Sequence, residues 1–211
     1  MKVVSTNLSM PTEITWNGKK EWTGIYKYPV DGPIQLERTD VRNDAVIDRR
    51  YHGGIRKACY LFSADTYPYW KEKYPNLDWQ YGMFGENITL TEFDENSIYV
   101  GETYRLGKAL VRITEPREPC RKLGIRFQNQ TVIKDFIAFA RPGTYVEVLE
   151  EGEVQTGDTL TLVESLEAKF SVVDYFNFHY HKEARQQFAD LFLNHAFIND
   201  EYKEKFRRIL F

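Results

Sequence analysis

The stretch richest in chemistry is Thr114-Glu115-Pro116-Arg117-Glu118-Pro119-Cys120-Arg121-Lys122-Leu123. Two prolines three residues apart stiffen a loop, and the cysteine follows the second of them with Arg117, Arg121 and Lys122 close by. Positive neighbours lower a thiol's pKa and enlarge the thiolate fraction, the form that attacks electrophiles and ligates soft metals. The residues alone leave Cys120 open between such a role and that of an inert loop thiol. Cys59 differs: inside Ala58-Cys59-Tyr60-Leu61-Phe62 it reads as a small buried hydrophobe of a strand.

A hydrolytic cysteine needs a histidine base and an orienting group. The histidines are His52, His179, His181 and His195, and none is placed by sequence to activate Cys120. His52 precedes Gly53-Gly54, where backbone can turn tightly or approach a ligand, so it is either a site-lining donor or a loop histidine. The other three are expected at surface helix positions, without companions at metal-ligand spacing. Ser63 stands where a helix is expected to follow a strand, either as a plain N-cap or beside an anion held by free N–H groups. Gly82-Met83-Phe84-Gly85-Glu86-Asn87-Ile88-Thr89 is a glycine-rich bend entering a strand, which either lines a cleft or makes a β-turn.

The elements that must position these groups are mostly short strands. Glu13–Trp16 and Glu21–Tyr26 flank Asn17-Gly18, a pair that tolerates positive φ and favours a tight hairpin. Further strands are predicted at 34–38, 58–62, 87–90, 98–100, 104–106, 109–114, 145–149 and 159–163, many bounded by Gly, Pro, Asp or Asn. Strands this short and numerous point to a closed or partly closed barrel. Helices are expected from Ser63 to about Tyr74 and over Val132–Phe139. Near Glu164 the period changes to that of helices: Ser171 with Asp174 resembles a capping box opening a helix to about His179, followed by helices over Lys182–Asn194 and Asp200–Phe211. The fold class expected is therefore mainly β (α+β), a barrel domain over 1–165 with short helices and a three-helix module over 166–211.

The 211 residues carry 28 Lys+Arg against 31 Asp+Glu, a net charge of −3, so no global basic field draws nucleic acid or an anionic membrane. Residues 166–211 hold seven basic and seven acidic side chains, which disfavours a DNA-reading helix. No run approaches the roughly 18 apolar residues of a membrane span, and the N-terminal residues lack a signal-peptide core, so a cytoplasmic protein is expected. Two cysteines are too few for an iron–sulfur cluster with four Cys ligands.

Taken together, Tyr28-Pro29-Val30-Asp31-Gly32-Pro33, Asp48-Arg49-Arg50-Tyr51-His52-Gly53-Gly54 with Lys57, Phe84-Gly85-Glu86-Asn87-Ile88-Thr89, Glu115 to Leu123, and Arg141-Pro142-Gly143-Thr144-Tyr145 running to Glu151-Gly152 resemble the MOSC domain family. This is the molybdenum-cofactor sulfurase C-terminal type of β-barrel, and the helical tail is similar to that of its YiiM-like branch. The resemblance implies that Cys120 is the thiolate ligand to molybdenum held by a pterin dithiolene (molybdopterin). It further implies Arg117, Lys122, Asn87, His52, Lys57, Ser63 and Lys27 as cofactor-binding residues. Asn43-Asp44-Ala45-Val46-Ile47-Asp48 departs from the family by lacking a glutamine, and Gly85 stands where eukaryotic relatives tend to place an arginine, so another cation must meet the phosphate.

The activity implied is molybdenum-dependent reduction of N-hydroxylated compounds such as hydroxylaminopurines. Without a cluster or a dinucleotide fingerprint, electrons must arrive from a separate flavin or iron–sulfur reductase. A sulfur carrier with a Cys120 persulfide, and a cofactor-binding or storage protein without turnover, are the alternatives. The tail is left to cover a barrel edge, serve a homodimer contact or dock the electron donor.

Overall fold

Alternating residues of one strand account for much of the architecture. In Cys59–Ser63 every residue is buried, Cys59 and Leu61 among aliphatic side chains and Tyr60 and Phe62 among aromatic ones. Successive side chains of a strand point to opposite faces, so a strand buried throughout must belong to a sheet covered on both sides. Here one face is lined by Val3, Leu90, Val111, Ile113, Val146 and Val148, and the other by Tyr67, Trp70, Phe84, Phe127, Phe136 and Tyr145.

The computed structural model describes residues 1–210, the side chains of Arg50 and Tyr51 apart. In chain order the elements are β1 (Lys2–Leu8), β2 (Thr12–Trp16), β3 (Lys19–Thr23), β4 (Tyr28–Pro29), β5 (Ile34–Leu36), α1 (Arg49–His52), β6 (Cys59–Ser63), α2 (Tyr67–Lys73), β7 (Ile88–Thr91), β8 (Thr103–Leu106) and β9 (Ala109–Pro116). There follow α3 (Arg121–Arg126), α4 (Val132–Phe139), β10 (Thr144–Glu150), β11 (Gly152–Val154), β12 (Leu160–Glu164), α5 (Val172–Tyr180), α6 (Lys182–Asn194) and α7 (Asp200–Leu210). Single 3-10 turns cover Ile55–Lys57 and Ala64–Thr66.

Eight strands form one sheet in the order β12-β8-β9-β10-β6-β7-β1-β4, with β5–β11 and the β2–β3 hairpin as separate pairs. All neighbours are antiparallel except β6 and β7, whose parallel pairing is allowed by the crossover through α2. The ladders do not close into a barrel. The sheet curls until β1 meets the approach to β12 through the single bridge Lys2–Thr159, with Val3 N–H donating to the Asp158 carbonyl at 2.8 Å.

The hairpin turns at Asn17 (φ +48°) and Gly18 (φ +74°), the conformations a tight two-residue turn demands. Helices over Val132–Phe139 and Lys182–Asn194 are as expected, and Ser171 caps α5 by accepting from Asp174 N–H at 3.0 Å. The predicted end of the last helix at Phe211 lies outside the described residues. Residues 98–100 form no strand; they make a buried turn with one bridge, Tyr99–Ser171. Strand β1 and helix α3 go beyond the sequence expectation. The tail helices gather Phe170, Tyr175, Phe178, Phe192, Ile198 and Phe206 into a third cluster, which reaches the sheet domain at Val100.

The cleft around Cys120 as candidate functional site

Strand β9 ends at Pro116, and Arg117-Glu118-Pro119 carries the chain to Cys120, the N-cap residue of α3. Cys120 is extended (φ −126°, ψ 168°), and its carbonyl accepts from Leu123 N–H at 2.9 Å. The His52 side chain and the Lys122 backbone N–H are the polar neighbours that favour its thiolate. Burial works to raise the thiol's pKa, but the His52 hydrogen bond, the charge of Arg117 and the Lys122 amide outweigh it and bring the pKa down to about 6. Such a group is about nine-tenths thiolate at neutral pH. Arg121 contributes less than its adjacency implies, because its guanidinium is committed to the Glu21 carboxylate, one contact being 2.6 Å.

Sequence position alone places no histidine at Cys120; of the two readings left open for His52, the fold puts it among the residues lining the cleft. His52 closes the four-residue α1, and Gly54, at φ +94°, takes the backbone away in a conformation that favours glycine. Two of the other histidines are corrected, while His181 is exposed between α5 and α6. His179 is a buried ring beside Tyr175, Tyr202 and Phe206, and His195 is buried at the end of α6, where its Nδ1 accepts from Phe197 N–H at 3.3 Å. Aromatic packing within the tail draws both rings inward. Among the described residues no group of three or more His, Cys, Asp and Glu is placed to hold a metal.

Cys120 borders an inner cleft of about 620 Å³, open solvent included. It brings together Cys120, His52, Lys57, Arg117, Lys122, Asn87 and Lys27, all predicted from sequence. Ser63 is not among its walls. As the last residue of β6 it shares the aliphatic face with Cys59 and Leu61, is fully buried, and its hydroxyl neither caps a helix nor finds a partner. The helix expected from Ser63 begins instead as a 3-10 turn, with Thr66 Oγ1 donating to the Ser63 carbonyl at 2.9 Å.

Lys27 is buried and ion-paired with Asp44. Burial depresses its pKa, while the Asp44 charge and hydrogen bond oppose that fall. Asp44 also accepts from Ser9 N–H at 2.9 Å, Ser9 Oγ at 3.0 Å and Asn87 Nδ2 at 2.9 Å. Asn87 Oδ1 in turn accepts from Tyr60 N–H at 3.2 Å, tying the start of β7 to β6. Arg117 is buried with its guanidinium 5.1 Å from the Tyr60 ring and one amino group donating to the Phe84 carbonyl, which leaves Nε without a protein partner. Lys57 lies 3.5 Å from Glu115, and Lys122 Nζ donates to the Trp22 carbonyl at 3.3 Å.

The Gly82–Thr89 segment is both a bend and a wall. Its anchor is the buried Glu86, which accepts from Gly82 N–H at 2.8 Å, Phe84 N–H at 3.1 Å, Thr89 Oγ1 at 2.9 Å and the Tyr67 hydroxyl. Gly85 and Asn87 face the cavity. A Cβ on Gly85 would lie 3.3 Å from Arg117 Nη1, so the Arg117 guanidinium takes the space beside this glycine. Also lining the cleft, the backbone of Gly24 runs against the Ala45 carbonyl.

Sequence reasoning missed Asp44, Tyr60 and Tyr145 as lining residues. It also missed the contact of the cysteine loop with the tail: Glu118 Oε1 lies 3.4 Å from His179 Nδ1 and accepts from the Tyr202 hydroxyl at 3.3 Å. For Asp44 a signal existed, an acid four residues before Asp48 in the segment leading to His52; for the tail contacts none did.

A β-rich sheet domain with a cysteine loop, a His-Gly-Gly turn and a cation-rich cleft defines a class, and the chain belongs to it: residues 48–161 match the MOSC domain model, and the chain is a member of that family in its YiiM-like branch. It is 31% identical over 206 residues, 98% of this chain and 93% of the relative, to the uncharacterized protein YflK of Bacillus subtilis. A protein of Gibberella moniliformis named reductase is 35% identical over 155 residues, 72% of this chain but only 28% of that protein. The crystal structure of YiiM from Geobacillus stearothermophilus superimposes with a TM-score of 0.78 at 28% identity, over 98% of this chain and 97% of that one.

Proposed function

We propose that this protein is a molybdenum-cofactor-dependent oxidoreductase that reduces N-hydroxylated compounds, hydroxylaminopurine-type bases among them, with Cys120 as the thiolate ligand to the metal. The observation that carries the proposal is the Cys120 thiolate, with its pKa near 6, at the edge of a positively charged cavity. Four cations (Lys27, Lys57, Arg117, Lys122) face that cavity against two acids (Asp44, Asp48), in a chain whose net charge is −3. A soft thiolate beside local positive charge fits a metal carried by an anionic organic ligand. Arg117 Nε, without a partner among the described residues, adds a buried donor in need of an acceptor.

Cys120 would hold the metal, and Arg117, Lys122, Lys57 and Lys27, with Asn87 and His52, would hold the cofactor's phosphate and pterin. When bound, the cofactor supplies the two electrons that cleave the N–O bond. The substrate R–NHOH takes up two electrons and two protons and leaves as R–NH2 and water. His52, beside Cys120 in the cleft, would stand where it can pass a proton to the departing oxygen. Arg117 is fixed by the Phe84 carbonyl and the Tyr60 ring, so its charge stays at the cleft without a reorganisation cost. Electrons come from a separate flavin or iron–sulfur reductase, since the chain has two cysteines, one of them the buried Cys59.

The test is anaerobic turnover of 6-N-hydroxylaminopurine by cofactor-loaded protein with a chemical reductant, the amine being quantified. Wild type is expected to form adenine and Cys120→Ser to form none; equal rates in the two would refute the ligand assignment. A second reading draws on the same low-pKa thiolate, which also suits a persulfide carrier, and that reading requires no bound metal.

A further inference from the structure

Two adjoining spaces meet at Cys120, sharing Asp48, His52, Lys57, Lys122 and Tyr145, and they differ in their remaining charged walls. The inner cavity is cation-rich. The outer chamber, about 1070 Å³ with open solvent included, is lined by Cys120, by Tyr145 and by Tyr202 of the tail. Its charged walls balance, Glu21, Asp48 and Glu118 against Lys57, Arg121 and Lys122. A cavity with surplus positive charge selects an anion, whereas a chamber of balanced charge with aromatic walls selects a neutral, flat molecule able to donate and accept hydrogen bonds.

Tyr202 belongs to α7, far in sequence from the cysteine loop, and it is held there. Its hydroxyl donates to Glu118 Oε1 at 3.3 Å, and its ring lies 5.5 Å from that of His179. Glu118 is thus gripped by two tail residues while it stands two positions before Cys120. Both tail contacts fall on the one carboxylate oxygen, Oε1. Burial raises the Tyr202 phenol above its ordinary value, so it stays a neutral donor.

We infer that the outer chamber is the substrate chamber, that α7 supplies its far wall, and that Tyr202 and Glu118 determine specificity for neutral planar heteroaromatic N-hydroxylated bases. This rests on the reductase reading and deepens it. The tail is then part of the substrate site: Tyr202 offers a face on which a base can stack, and Glu118 an acceptor for a ring or exocyclic N–H.

The experiment uses cofactor-loaded wild type, Tyr202→Phe, Tyr202→Ala and Glu118→Gln, with 6-N-hydroxylaminopurine and hydroxylamine as paired substrates and calorimetric binding of 6-N-hydroxylaminopurine as a second readout. Tyr202→Ala is expected to lower the kcat/KM ratio of base over hydroxylamine about tenfold, chiefly through KM, and to weaken binding of the base to match. Tyr202→Phe keeps the ring against His179 and should lose less, which guards against misfolding as the cause; Glu118→Gln should also lower the ratio. Equal losses on both substrates, or an unchanged ratio, would overturn the inference while leaving the reductase reading standing. If wild type binds the base without turnover and Tyr202→Ala weakens that binding, the chamber assignment holds and the reductase reading fails; if wild type does not bind the base, the inference falls.

Discussion

Replacing Asp44 by Asn should destabilise the protein by about 3–5 kcal/mol, because it leaves Lys27 as an uncompensated buried cation. The side chains of Lys27 and Asp44 are only 7% and 2% exposed, so water cannot take the place of the lost carboxylate. Three other donors, Ser9 N–H, Ser9 Oγ and Asn87 Nδ2, also lose a charged acceptor. For a chain of this length such a loss lowers the thermal midpoint by about 6–20 °C. Lys27→Met combined with Asp44→Asn removes both charges and should recover much of the deficit. The dependence on pH gives a second check. Burial already holds the Lys27 pKa below its ordinary 10.5 against the pull of Asp44; without Asp44 it falls further. Between that depressed folded value and the unfolded one the native state binds fewer protons than the unfolded, so stability rises with pH there, and the Asp44→Asn penalty should shrink from about pH 7 to about pH 9. Urea unfolding of the three proteins at both pH values measures it. A penalty below about 1 kcal/mol, or one independent of pH, would refute the reasoning.

Two further predictions follow from the same cleft. Alkylation of Cys120 in metal-free protein should show a half-maximal rate near pH 6, and His52→Ala should move that midpoint up by about one to three pH units; a wild-type midpoint near the ordinary thiol value would contradict the assigned neighbours. Gly24→Ala places a Cβ at 1.7 Å from the Ala45 carbonyl oxygen, so the two walls of the cavity must part. The expected cost is about 1–3 kcal/mol, read as a lower thermal midpoint together with weaker cofactor retention, and an unaltered midpoint would disprove the close approach.

Local signals reported local structure well. Asn17-Gly18 marked its hairpin, and the apolar stripes of Val132–Phe139 and Lys182–Asn194 marked their helices. Strand β1 stayed hidden because its interior is polar: Ser5, Thr6 and Asn7 are all buried, with Ser5 Oγ donating to Asn7 Oδ1 at 2.7 Å and Asn7 Nδ2 to Thr89 Oγ1 at 3.1 Å. Hydropathy alternation cannot register a strand whose inward side chains satisfy one another. Helix α3 was masked by Gly124 within it and Pro119 just ahead of Cys120. Within the site, Cys120 and its cationic setting were legible because proline stiffening and charge adjacency are sequence properties. That His52 rather than Arg121 serves the sulfur was not, since it depends on how α1 meets α3 and on Glu21 occupying Arg121. Ser63 misled for the converse reason: a residue that looks like a cap is the last inward residue of a strand.

The most direct test of the central claim is the molybdenum and pterin content of protein produced in a host that makes the cofactor, with Cys120→Ser prepared in parallel. The account predicts near-stoichiometric metal and pterin in wild type and loss of metal from the variant. Absence of both from wild type in a host that loads a control molybdoenzyme would contradict it and bring the persulfide-carrier reading forward.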